Sequence, residues 1–246
     1  MKNRNVDITA VLNGHKEGLL AGPALTSFER AIELARDAGL QVEGMIVLDR
    51  PDAATRMQFA SVESRYEIFE TDHGDPGLAR NSAVAAANGT FISFLDGDDL
   101  WSPNWLVAAH QLCAAEPEVT VAHSEVNIIF GEQRLLWWHI DSRSPNFDPG
   151  YLRFNNYWDA MAFAATDIFK RYPFEATTLS LGYGYEDWHW NCVTLEAGID
   201  HRPALGTAHF KRRRKVSQLA ITNAANSIVL PTPLSSYAWM PDLKNV

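Results

Sequence analysis

Residues 91–103, FISFLDGDDLWSP, decide the fold class. The first five residues carry large apolar side chains on both alternating faces, the pattern of a strand covered from both sides. The strand stops at three carboxylates within four positions, Asp96, Asp98 and Asp99. A strand covered on both faces lies inside a sheet, and ligands of open α/β sheets sit beyond the carboxyl ends of such strands. A solvated turn with Asp99 near a helix start is the plainer reading, since aspartate favours both places. Yet three acids this close repel one another unless protons or a cation compensate. Mg²⁺ or Mn²⁺ would compensate through oxygen ligands while keeping positions open for substrate phosphates.

The flanking sequence agrees with a sheet of this kind. Residues 7–12, DITAVL, read as a first strand, followed by a glycine-containing loop. Residues 26–39 read as a helix, with Thr26 and Glu29 at capping-box spacing and Gly39 as its stop. Residues 42–48 form a second strand that ends at Asp49. Residues 77–89, GLARNSAVAAANG, form a small-residue helix closed by Asn-Gly, with Arg80 in its first turn. Strand, helix, strand, helix, strand with short connections predicts an α/β fold with an at least partly parallel sheet. Farther on, Ser102 and Pro103 read as cap and first turn of a helix reaching about residue 115. Residues 119–130 read as a strand. In residues 131–174 the pattern predicts a hairpin on LLWWHI, a loop, and a short helix near 159–170. Residues 186–198 read as a helix with Trp188, Cys192 and Leu195 on one stripe. Residues 209–219 are basic, and residues 220–246 have little periodicity.

Composition narrows the classes. The chain has 246 residues, 46% hydrophobic and 21% charged, enough for a packed core. A formal charge of −9 disfavours a general nucleic-acid binder. Two distant cysteines, Cys113 and Cys192, read as reduced core thiols. The N-terminus lacks an apolar stretch of signal-peptide length, and no apolar run is long enough to cross a membrane, so a cytoplasmic protein is expected. No Gly-x-x-x-x-Gly-Lys-Ser/Thr string and no Gly-x-Gly-x-x-Gly turn occurs, which argues against a P-loop NTPase and a Rossmann dehydrogenase.

The pieces ITAVLN, IVLD, GLARNSAVAAANGTFISFLDGDDLWSP and GYEDWHWNCVTLEAG, in this order, resemble the family 2 glycosyltransferases of GT-A fold. An isolated Asp-x-Asp carries little; the third string, taken whole, is specific. The resemblance runs from Asp7 to about Ser217 and weakens over residues 131–174. It implies a Rossmann-like, mostly parallel central sheet flanked by helices, with a smaller antiparallel acceptor-side portion. It also implies a GT-A domain over residues 1–219, with a nucleotide-sugar half to about 103 and an acceptor half from 104. Residues 220–246 would be a tail that packs on the core or leads into a further domain.

The resemblance further implies a nucleoside-diphosphate sugar donor, a glycan or lipid-linked acceptor, Mn²⁺ or Mg²⁺ as cofactor, and transfer with inversion, typically in bacterial surface polysaccharide synthesis. The setting it implies is the cytoplasm, with peripheral association at the inner membrane face or in a synthesis complex. Asp98 would contact the metal, with Asp96 on the metal or ribose and His209 as a further metal contact. Leu12, Asn13, Asp49, Arg80, Gly97, Arg212, Arg214 and Ser217 would bind the donor nucleotide. Asp187 would be the catalytic base with Glu186 beside it, and acids at a helix start also interact favourably with its dipole. Trp188, Trp158 and Asn156 would meet the acceptor, although Trp188 also fits a core stripe. The family's second strand usually ends in Asp-Asp, whereas here it reads Asp49-Arg50-Pro51-Asp52. A non-catalytic nucleotide-sugar or glycan-binding module and a sugar nucleotidyltransferase are the alternatives.

Overall fold

The computed structural model describes residues 6–215 and 217–235. Its centre is a nine-stranded sheet. In chain order the strands are β1 (Ile8–Gly14), β2 (Val42–Asp49), β3 (Glu67–Thr71), β4 (Phe91–Asp96), β5 (Leu100–Trp101), β6 (Thr120–Gly131), β7 (Leu135–Trp138), β8 (Phe163–Ala165), β9 (Tyr183–Gly184), β10 (Asp200–Arg213) and β11 (Ile228–Val229). The helices are α1 (Ala21–Asp37), α2 (Ala53–Ala60), α3 (Pro76–Ala86), α4 (Trp105–Ala114), α5 (Thr166–Arg171), α6 (Glu186–Glu196) and α7 (Gln218–Ala224). The spatial order is β3-β2-β1-β4-β8-β6-β10-β5, with β7 on β6, while β9 and β11 pair separately. β1 to β4 pair in parallel, as do β6 and β10. β8 runs antiparallel between β4 and β6 and joins the two halves. This is the α/β architecture expected, mostly parallel with an antiparallel minority.

The first half is apolar packing in register. β1 is sealed on both sides, and Phe94 and Leu95 of β4 are fully buried. Ser93 is the polar residue inside β4, and it accepts a hydrogen bond from the Trp105 indole at 3.0 Å. Gly89 lets the turn into β4 press on β1: a Cβ there would lie 2.3 Å from the Thr9 nitrogen. Asp75 starts α3 by accepting from the Leu78 amide at 3.0 Å. Asn81 pins that helix to the second half through paired hydrogen bonds with the Phe174 backbone, at 2.8 and 3.0 Å.

Several expectations are corrected. α1 begins at Ala21, and Thr26 bonds back to the Gly22 carbonyl instead of capping, because the preceding turn already continues into the helix. Ser102 does not cap α4; its hydroxyl accepts from the Ala208 amide at 3.0 Å, since residues 100–101 are drawn onto β10 as an edge strand. The helix expected near 159–170 is confined to Thr166–Arg171, and the residues before it include β8, too short to show a period. β3 and α2 fill the stretch after Asp49 that periodicity left unread. Asp52 caps α2 by accepting from the Thr55 amide at 2.8 Å. Cys113 and Cys192 are free and buried. Among the described residues no helix is long and apolar enough to cross a membrane.

Candidate active site

A cleft of about 780 Å³ opens where β1, β2 and β4 end and where β10 and α6 approach them. β1 and β4 finish side by side, Asn13 in register with Asp96. The chain then turns, with the Asp99 amide donating to the Asp96 carbonyl at 3.0 Å. Gly97 makes that turn fit: a Cβ would come within 2.8 Å of the Asn13 carbonyl oxygen and 3.1 Å of the Glu17 carboxyl. The acidic loop is thus pressed against the end of β1.

Each acid of the loop meets its own cation. Arg80, nearly sealed, donates to Asp96 at 2.8 Å and to Glu186 at 2.9 Å. Arg214 Nε lies 2.7 Å from Asp98, at ion-pair distance without hydrogen-bond alignment. Lys211 lies 3.2 Å from Asp99, and the Arg212 amide donates to the same carboxylate at 2.6 Å. Burial pushes the Asp99 carboxyl up to about 7 despite Lys211, and burial also raises Asp98 against the pull of Arg214. For Asp96 burial acts in the same direction, but Arg80 and Lys211 outweigh it and hold the carboxyl below its ordinary value.

These residues bear on the implied metal. Among the described residues no three His, Cys, Asp or Glu side chains converge into a ready-made cage. The donor set that suits a hard cation is a smaller one: the carboxylates of Asp98, 2.7 Å from Arg214, and of Asp96, whose second oxygen is 4.0 Å from Lys211. Mg²⁺-like ions are commonly held by one or two carboxylates plus substrate phosphates. His209 is not part of this set. Its ring is fully buried 4.4 Å from Trp105, outside the cleft lining, and burial drives it down to about 3.

The opposite wall is the start of α6. Tyr185 takes a left-handed conformation (φ 60°, ψ 59°) immediately before Glu186 and Asp187. Its hydroxyl donates to Asn223 at 2.6 Å, so α7 crosses beside the acids. Asp187 accepts from the Trp188 amide at 2.8 Å. Burial, helped by the Glu186 charge, pushes its carboxyl up to about 7.

The other expected residues divide clearly. Asp49 lines the cleft with one oxygen taken by Thr71 and the His73 amide, at 2.9 and 2.7 Å. Asn13 lines it too, and both its amide atoms lack protein partners. Arg212 stacks 4.5 Å from the Phe130 ring, and Ser217 caps α7; both reach the lining. Leu12 is core, so only its backbone is available there. Trp188 and Trp158 touch the cleft but anchor their indoles on the Leu152 and Ile140 carbonyls, each at 2.9 Å. Asn156 accepts from Asn191 at 3.1 Å at the same end.

Sequence reasoning passed over Glu17, Asp159 and Tyr185 and left Lys211 undistinguished within the basic run; all four are in the lining. Lys211 had a legible signal: in β10 Thr207, His209 and Lys211 are buried at alternate positions, so a strand reading of the basic run separates Lys211 from Arg212. Asp159 sits in an aromatic stretch with no such period.

The sequence matches glycosyl transferase family 2 over residues 25–177, and the chain belongs to that family. An uncharacterized glycosyltransferase of Nostoc sp. is 32% identical over 85 residues, 35% of this chain and 26% of that protein. The succinoglycan biosynthesis protein ExoW of Rhizobium meliloti is 39% identical over 49 residues, 19% of this chain and 15% of that one. Residues 1–349 of S. aureus TarS, solved with UDP-GlcNAc, superpose with a TM-score of 0.58 at 15% identity, covering 87% of this chain and 61% of that one. The Pyrobaculum calidifontis mannosyltransferase PcManGT, solved with GDP-Man and Mn²⁺, gives 0.60 at 16% identity, covering 90% and 62%. The matches thus span about a quarter or less of these curated relatives and about three fifths of these solved chains. The shared architecture is the GT-A fold.

Proposed function

We propose that the protein moves a sugar from a nucleoside-diphosphate sugar to a hydroxyl of a glycan or lipid-linked acceptor, with inversion, in polysaccharide synthesis. One observation supports this most. Arg80 ties Asp96 of the acidic loop to Glu186 beside Asp187, so a donor-side and an acceptor-side carboxylate face one cleft. The kinship with a succinoglycan biosynthesis protein supports the polysaccharide setting.

In this reading Asn13 and the open side of Asp49 meet the nucleoside. Asp98, with Asp96, would hold Mn²⁺ or Mg²⁺, which when bound supplies positive charge at the diphosphate. Asp187 takes the proton of the acceptor hydroxyl as its oxygen bonds to the anomeric carbon. The bond from that carbon to the diphosphate oxygen breaks, and the electron pair leaves with the nucleoside diphosphate. Arg212 and Arg214 neutralise the departing charge from the strand end beside the loop. A single displacement inverts the anomeric centre. Peripheral placement at a membrane face or in a synthesis complex belongs to the same reading, as does residues 1–219 acting as the catalytic unit.

The test is a panel of nucleotide sugars incubated with Mn²⁺ or Mg²⁺ and scored for hydrolysis, alongside thermal shift with the matching diphosphates. At least one donor is expected to turn over in a metal-dependent way. A chain that no nucleoside diphosphate stabilises with either metal would not have this function.

A further inference from the structure

Lys211 has no role in the scheme above, yet its side chain is only 10% exposed and lies among the acids. Its ammonium is 3.2 Å from Asp99, 3.2 Å from Asp159 and 4.0 Å from Asp96. Those acids come from two places in the chain, the loop after β4 and the segment before β8. The lysine arrives from a third, β10. Asp159 is itself braced. Asn127 donates to it at 2.9 Å, and His123 lies 4.0 Å from its other oxygen. The far nitrogen of His123 is 2.9 Å from His201, whose second nitrogen is 2.8 Å from the Thr194 hydroxyl on α6. The acidic loop itself reaches the helix that carries Asp187 through Arg80, which bridges Asp96 and Glu186. An exposed ammonium would exchange such partners with water at little cost. A buried one cannot leave without stranding two carboxylates.

We propose that Lys211 is a positioning residue for glycosyl transfer: its ammonium locks loop 96–99 to the Asp159 segment and so fixes the donor side against Asp187. The inference rests on the glycosyl-transfer reading. The same ammonium is a permanent counter-charge, and it weakens the loop's hold on a bare divalent cation. Cation and diphosphate are thereby made to bind together.

Four variants test this: K211M, K211R, D159N and K211M/D159N. The readouts are melting temperature, Mn²⁺ affinity without nucleotide by electron paramagnetic resonance, and kcat with donor KM. K211M is expected to lower kcat at least ~30-fold with donor KM within about threefold, because the loop is displaced rather than emptied. K211R is expected to restore kcat to within about fivefold, since it keeps the charge. The double variant should be no worse than K211M, because the pair acts as a unit. Additive losses, or K211M at wild-type kcat, overturn the proposal. Should K211M fail to fold, D159N decides: it must lose at least ~10-fold in kcat at unchanged donor KM, and wild-type turnover in D159N overturns the idea. If the wild-type protein turns over no donor, the proposed function falls and the Mn²⁺ measurement still judges Lys211. K211M should then bind Mn²⁺ several-fold more tightly than wild type, and equal affinity ends the counter-charge role.

Discussion

Between β1 and β4 the interior is apolar. Ile8, Leu12, Ile46 and Phe94 are sealed, and the buried polar side chains within those strands, Thr9, Asp49 and Ser93, are hydrogen-bonded. Between β6 and β10 the interior carries His123, His201, His209, Asn127 and Lys211, with His139 and Asp159 packed beside them. One half is held by area removed from water, which is non-directional. The other is held by hydrogen bonds and ion pairs, whose worth depends on every partner staying in place. The first suits a docking floor, and the second suits side chains that must stand at fixed separations.

The sharpest way to break that comparison is at the two walls of the cleft. On the acceptor side, Asp187→Asn should lower kcat by ~10³ while leaving donor binding and melting temperature intact, as loss of a general base does. In the wild type kcat/KM should fall as pH drops below about 7, where Asp187 becomes protonated, and in the variant this limb should shrink to what Asp99, also near 7, contributes. On the donor side, Asp98→Ala should weaken metal-dependent diphosphate binding at least ~100-fold, since losing even a residue that only orients a metal ligand costs about 10–100-fold. Thermal shift with and without Mn²⁺ reads this.

Stability variants sharpen the same contrast. Ile46→Ala should cost about 2–5 kcal/mol through lost burial and a cavity. Asn127→Ala removes the amide that serves Asp159 and His139, and should cost about 1–3 kcal/mol. Denaturant unfolding measures both. The smallest effect is acid sensitivity. Burial holds His139 down to about 4 and depresses His123 and His201. A histidine whose folded value is depressed takes up its proton more readily when unfolded. Stability therefore falls as pH drops below about 6.5, by about 1 kcal/mol for His139 by pH 5.5. Hydrogen exchange at that pH should rise in β6 and β10 before it rises in β1 and β2.

The contrast also explains what could be read in advance. The apolar half announces itself, because burial on both faces demands Ile, Val, Leu and Phe in strand-length runs, and the acids beyond Leu95 stood out against them. β3 stayed hidden since its glutamates face solvent at a sheet edge. β10 stayed hidden since its buried face is histidine, lysine and threonine, and a shift of register between Ala204 and Ala208 interrupts it. A buried salt bridge such as Lys211 with Asp159 joins residues 52 positions apart and leaves no local spacing to find.

β8 has a consequence for how the chain assembles. It is wedged between β4 and β6, both of which precede it in sequence. A chain emerging from the ribosome can pair β1 with β2 and β4, yet β4 and β6 have nothing to close the gap between them until residues 163–165 appear. Three residues thus join the parts, and a nascent chain arrested before them would hold the β1–β4 sheet and the β6–β7 hairpin unjoined, with bare edges.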